Sequence, residues 1–270
     1  MGDVHYIESG VGAPLVLLHA FPLDARMWNP VRTRLEDRTR MIAPDQRGLG
    51  ESALDGSSAH PLAGGDRAAA PDVELAAADV LELMDRLELP RAVVGGCSMG
   101  GYVAMAMLRA APERVAGLLL VDTKATADGP DQQANRRAVA DRAESSGTGD
   151  WLAADMLPNL LGDTTRQQRP EVVEQVRGLI EEQPAAGVAW AQRAMAARPD
   201  STGTLRGFGG PALVVVGAED GITPPQEAAK MADLLPDGEL VTLPEVGHLS
   251  ALEDPDAFTA AIGPWLNRIG

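Results

Sequence analysis

Val93-Val94-Gly95-Gly96-Cys97-Ser98-Met99-Gly100-Gly101-Tyr102 runs from a short apolar stretch through a small-residue turn into a helix-forming segment. This is the pattern of a nucleophile elbow, a sharp strand-to-helix turn that lifts a serine hydroxyl above a sheet edge on a strained, rigid backbone. Gly96 and Gly100 flank Ser98 at two residues' distance and face each other across such a turn, where a side chain would collide with the adjacent strand or helix. The Met99 N–H opens the following helix and points to where an oxyanion would form, and the positive helix end favours charge there. The five-residue pattern alone is weak in a chain of 270 residues with 29 glycines and nine serines. Its surroundings carry the weight: residues 93–96 read as a buried strand, and 102–109 (YVAMAMLR) as a buried helix ended by Pro112.

Upstream of this motif, residues 4–8 and 14–19 read as strands joined by a Gly-rich turn, 24–36 as a short helix and 40–44 as a third strand. Residues 53–71 are small, polar and unpatterned, and read as a mobile surface loop. Helical periodicity returns over 72–87, with Val73, Ala76, Ala77, Val80, Leu83, Met84 and Leu87 on one face. Strands follow at 92–95 and 115–121. Short links between alternating strands and helices predict a parallel, doubly wound α/β sheet of about seven to eight strands. After Asp122 the pattern changes: residues 123–206 carry helix-like stretches at 130–144, 150–157, 170–182 and 185–197 and no convincing strand. The expected organisation is a core of residues 1–122 and 207–270 with an inserted helical cap at 123–206. Strands at 211–217 and 239–243 and an amphipathic helix at 255–269 complete the core.

Composition narrows the function. With 23 basic against 39 acidic residues the net charge is −16, the acidic groups are dispersed, and Lys124 and Lys230 are the only lysines, so nucleic-acid binding is disfavoured. A single cysteine, Cys97, excludes an intrachain disulfide and leaves any metal site to His, Asp and Glu. The N-terminus has neither a charged start nor an apolar stretch for secretion, and no apolar run approaches membrane-spanning length. A cytoplasmic protein that binds neither membrane nor nucleic acid is the expectation; nothing in the sequence bears on oligomeric state. Abundant Ala and Arg with scarce Lys go with a GC-rich bacterial genome.

A serine hydroxyl is a poor nucleophile near neutral pH, so it needs a base, and the base needs an orienting carboxylate. Of four histidines, His248 follows the last predicted strand directly in Glu245-Val246-Gly247-His248-Leu249-Ser250 and is the candidate base. His5 falls in an edge strand and His60 in the unpatterned loop, while His19 ends a strand and is a rival. The carboxylate should follow a strand and precede the histidine. Asp220 in Gly217-Ala218-Glu219-Asp220-Gly221 fits best, with Glu219 beside it and Asp122 at the end of the preceding strand as competitors.

With these positions in order, the chain resembles the α/β-hydrolase superfamily from about Val4 to the last helix. His19-Ala20-Phe21-Pro22 is similar to the family's His-Gly-x-Pro turn, although Ala20 replaces the usual glycine. Asp45-Gln46-Arg47-Gly48-Leu49-Gly50-Glu51-Ser52 resembles its D-x-R-G-x-G-x-S segment, and Gly247-His248 matches its histidine loop. The resemblance implies that a first edge strand of the usual eight is absent. It implies an oxyanion hole made by the Phe21 and Met99 N–H groups, and a structural role for the Asp45 segment, where a charged pair and glycines hold a loop. It also implies acyl transfer by Ser98, His248 and Asp220, with no metal or organic cofactor. A serine nucleophile disfavours the aspartate chemistry of haloalkane dehalogenases and epoxide hydrolases. The elbow and single cap look like those of 3-oxoadipate enol-lactonase-like hydrolases, small carboxylesterases and cofactor-free perhydrolases, so the expected partner is a small-molecule ester or lactone. Carbon–carbon bond hydrolysis with the same triad, or a non-hydrolytic receptor on this fold, are the alternatives. Trp151, Met156, Trp190 and Met195 on the cap are candidate substrate contacts, although Trp and Met stripes at helical spacing usually belong to packing. Arg136, Arg137 and Arg193 are candidate anchors for a substrate carboxylate.

Overall fold

The central strands are apolar or small at every position rather than alternating, as strands covered on both faces must be. In the computed structural model, which describes residues 4–54 and 70–269, β4 (Ala92–Cys97) and β6 (Ala212–Gly217) are buried throughout. Around them lie β1 (Tyr6–Ser9), β2 (Ala13–Leu18), β3 (Thr39–Pro44), β5 (Val115–Val121) and β7 (Gly238–Leu243). Among the described residues they form one seven-stranded sheet of order β1-β3-β2-β4-β5-β6-β7. Only β1 is antiparallel, paired to β3 with Tyr6 opposite Pro44. The other pairs are parallel, with Leu15 in register with Val93 and Val94 with Leu118. This is the doubly wound α/β architecture read from the sequence.

The first predicted helix divides in two: a 3₁₀ turn over Ala25–Trp28, capped by the Asp24 carboxylate, gives way to α1 (Asn29–Leu35), with Pro30 in the first helical turn. Next come α2 (Val73–Arg86), which starts from an Asp72 cap, and α3 (Met99–Ala110). The predicted loop at 53–71, and His60 within it, lie mostly outside the described residues.

Residues 123–206 contain α4 (Pro130–Ser146), α5 (Gly149–Leu160), α6 (Asp163–Gln168), α7 (Pro170–Glu181), α8 (Ala185–Ala197) and α9 (Thr202–Arg206). Within this segment α4 packs on α8, and α5 on α7. A charged cluster ties its two ends together. The buried Asp128 carboxylate accepts from Arg198 at 2.7 and 2.8 Å and from Arg136, and Lys124 Nζ lies 2.9 Å away. Burial alone would raise that carboxyl, but the Arg198 and Arg136 guanidiniums outweigh it and hold it far below the usual carboxylate range. Arg198 in turn stacks 4.0 Å from the centre of the Tyr102 ring on α3. After β6 the chain adds α10 (Pro225–Leu234), the short α11 (Ser250–Glu253) and α12 (Pro255–Ile269), which packs on α1.

Candidate active site

The strand order itself locates a crevice. From β2 the chain crosses outward to β3, whereas from β4 it crosses the other way to β5, so the connections diverge between these two neighbouring strands. Ligand sites of open α/β sheets form beyond the strands' carboxyl ends at such a point. The turn at His19–Pro22 follows β2 there, and Ser98 follows β4.

Ser98 has φ 53° and ψ −112°, a left-handed backbone that a non-glycine residue adopts at a cost of the order of 1–3 kcal/mol. The elbow closes because its flanks lack side chains: a Cβ on Gly96 would overlap the Gly100 carbonyl, and one on Gly100 would overlap the Leu18 carbonyl at the end of β2. The serine is thereby held at the N-terminus of α3, and its carbonyl accepts a 2.8 Å bond from the Thr123 hydroxyl.

From Ser98 a line of hydrogen bonds runs into the protein. Ser98 Oγ lies 2.7 Å from His248 Nε2, and His248 Nδ1 lies 2.8 Å from Asp220 Oδ2. His248 and Asp220 are both buried, whereas the serine keeps access to the surface. A carboxylate can only accept, so Nδ1 carries the proton and Nε2 is left to accept from the serine hydroxyl. The Asp220 carboxylate also accepts from the Ile222 and Thr223 N–H groups at 2.8 and 2.9 Å and from the Thr223 hydroxyl at 2.7 Å. Burial would raise this carboxyl, but the His248 ring and the Thr223 donors outweigh it and hold it below its ordinary range.

The rivals have other partners. His19 is fully buried, with Nε2 accepting from the Gln46 N–H at 2.8 Å and Nδ1 donating to the Ala20 carbonyl at 3.0 Å. Burial pushes its pKa down, so a neutral ring braces the β2 turn with both nitrogens occupied. His5 bonds to Asp45 Oδ2 at 2.7 Å. Glu219 turns away from His248 and accepts from the Thr164 N–H and hydroxyl at 2.8 and 2.6 Å. Asp122 makes no hydrogen bond to the base; it accepts from Gly217 N at 2.9 Å, Ser250 N at 3.0 Å and Ser250 Oγ at 2.6 Å. Burial, with the nearby Asp220, raises the Asp122 carboxyl well above its usual value.

Neither the Phe21 nor the Met99 N–H donates to a protein acceptor among the described residues. Asp45 and Arg47 do not pair with each other: Asp45 accepts from the Ala25 and Glu51 N–H groups and from His5, and Arg47 reaches Asp79 on α2. On the helical segment, Trp151 donates to the Gly147 carbonyl at 2.8 Å under the Arg142 guanidinium, and Met195 is buried with its sulfur 3.3 Å from Arg136. Met156 and Trp190 are half-buried, and Arg47 lies 5.8 Å from the Trp190 ring centre. The three candidate anchor arginines have protein partners: Arg136 bonds to Asp128, Arg137 to Gln133, and Arg193 to Asp141 and Glu144. Thr223 escaped the sequence reading, although an Asp followed three residues later by Thr is a local turn signal.

No helix among the described residues is long and apolar enough to cross a membrane. The fold and this site together define a hydrolase of the α/β type. The chain belongs to the Alpha/beta hydrolase family, whose profile matches residues 15–261. A thermophilic esterase from Thermogutta terrifontis, solved with malate bound, is 41% identical, with a TM-score of 0.91 over 98% of this chain and 93% of its own. The enol-lactonase of Burkholderia xenovorans LB400 is 27% identical, with a TM-score of 0.85 over 98% of this chain and 96% of its own. A pimeloyl-[acyl-carrier protein] methyl ester esterase of Nitrosospira multiformis is 29% identical over 97% of this chain and 98% of its own.

Proposed function

We propose that this chain hydrolyses a carboxylic ester or lactone through an acyl-enzyme on Ser98. The observation that carries the reading is the unbroken line from Ser98 Oγ through His248 to Asp220, at 2.7 and 2.8 Å. His248 Nε2 takes the hydroxyl proton as Oγ attacks the carbonyl carbon, and the Phe21 and Met99 N–H groups receive the oxyanion. Collapse breaks the bond to the leaving oxygen, which takes the proton from His248. Water then enters by the same route: His248 removes its proton, hydroxide adds to the acyl carbon, and Ser98 leaves reprotonated. No step calls on a metal or organic cofactor.

The likeness to an esterase and an enol-lactonase over nearly the whole chain favours ester or lactone substrates. We assign residues 123–206 as a cap over the core and give it the choice of acyl group. Half-buried Met156 and Trp190 are its foremost contacts; Trp151 and Met195 are the more committed to packing.

A panel of p-nitrophenyl esters from acetate to octanoate, small lactones and enol-lactones, each with and without peroxide, tests this reading. At least one ester or lactone should be turned over without peroxide at a kcat/KM of about 10⁴ M⁻¹s⁻¹ or more. Folded protein that hydrolyses none of them above the buffer rate contradicts it.

A further inference from the structure

Two carboxylates next to the proposed triad, buried Glu253 and half-buried Glu219, take no part in the steps above, and both reach one short stretch of the helical segment. Glu253, at the end of α11, accepts through Oε1 from the Gly247 and Leu249 N–H groups at 2.9 and 3.1 Å. These are the peptide donors on either side of His248. Its other oxygen accepts from the Gly162 N–H at 2.9 Å, in the elbow between α5 and α6. Glu219, the neighbour of Asp220, bonds to Thr164 in the same elbow. The backbones meet directly there: a Cβ on Gly162 would lie 2.8 Å from the Gly247 nitrogen. Glu253 is itself held, since Arg169 Nη1 donates to its carbonyl at 3.1 Å.

Three buried N–H groups therefore converge on one side chain, and each would lose its acceptor without it. We propose that Glu253 is a positioning residue for the base: its carboxylate pins the peptides flanking His248 and ties them to Gly162, so that the seating of the helical segment sets the alignment of the imidazole on Ser98. Glu219 ties the acid loop to the same elbow. Helical segment, acid and base thus form one braced unit, and a change in the seating of the segment is felt as a change in kcat. The inference rests on the triad reading of Ser98, His248 and Asp220. A shift of about 1 Å in a reacting group costs on the order of 10²-fold in rate, which sets the scale of the effect.

Glu253→Gln keeps the size of the side chain, but whichever way the amide turns, its NH₂ faces a backbone N–H. On an ester hydrolysed by the wild type, kcat should fall about 10- to 100-fold with KM within threefold, counted per active site titrated with a fluorophosphonate. Gly162→Ala leaves the Glu253 carboxylate in place and pushes the elbow off both Gly247 and Glu219; the same split is expected, with kcat down about tenfold. If Glu253→Gln does not fold, Gly162→Ala decides alone. Folded variants with wild-type kcat per titrated site, or a loss confined to KM, overturn the proposal. Wild type that turns over ester and carries the adduct on Ser98 upholds the triad reading whatever the variants do. Wild type that does neither brings both down together.

Discussion

On the proposed mechanism, Ser98→Ala should lower kcat by about 10⁶-fold and move the thermal midpoint by no more than about 2 °C. The rate effect follows from the chemistry: without Oγ no acyl-enzyme forms, and only binding and the oxyanion donors remain to help water. The small stability effect follows from the structure. Ser98 makes no side-chain cap bond to α3, and its hydroxyl contact with His248 is at the surface-accessible end of the buried line. Alanine meets the same backbone strain at φ 53° as serine does, so the substitution adds little. Steady-state assays on the best ester of the panel and calorimetry on both proteins check this. Retained turnover would remove Ser98 from the nucleophile's role.

The second large effect separates two carboxylates. Asp220→Asn should lower kcat about 10⁴-fold, whereas Asp122→Asn should lower it tenfold or less. At position 220 the Oδ1 acceptor for Ile222 and Thr223 can survive as the amide oxygen. The amide NH₂ then faces His248 Nδ1 and forces that nitrogen to accept, which moves the ring proton to Nε2, opposite a hydroxyl that must lose its own. The geometry stays and the tautomer is wrong. Asp122 instead braces Gly217 and Ser250 and does not bond to the ring, so an amide there disturbs that brace but leaves the proton on His248 Nδ1. The kcat of each variant on one ester is the measurement. A larger loss from Asp122→Asn would move the orienting acid to the end of β5.

What the residue order shows before any coordinates depends on how much local physics each feature carries. The strands are legible because burial on both faces demands unbroken apolar runs, such as Ala212-Leu213-Val214-Val215-Val216 in β6. The elbow is legible because its glycines are required by contacts within a few residues and with the adjoining strand. Four helices escape the reading. α6 (Asp163–Gln168) is six residues long and buries only Thr165, so no apolar stripe forms, whereas α10 (Pro225–Leu234) does place Ala228, Met231 and Ala232 at helical spacing, a short stripe of mostly small residues that the sequence reading passes over. α9 and α11 are five and four residues long, too short for a period to repeat. The choice among Asp220, Glu219 and Asp122 also stays open in the sequence, since all three follow strands. The coordinates separate them by partner: His248 for the first, Thr164 for the second, Ser250 for the third. Glu253 is harder still to foresee, because its role is defined by an elbow 91 residues away in the chain.

The most direct test of the central claim is to treat folded wild-type protein with a fluorophosphonate and locate the adduct by peptide mass. One adduct per chain on Ser98, absent from Ser98→Ala, is the expected result. No adduct at Ser98, or an adduct on another residue with Ser98 unmodified, would contradict it.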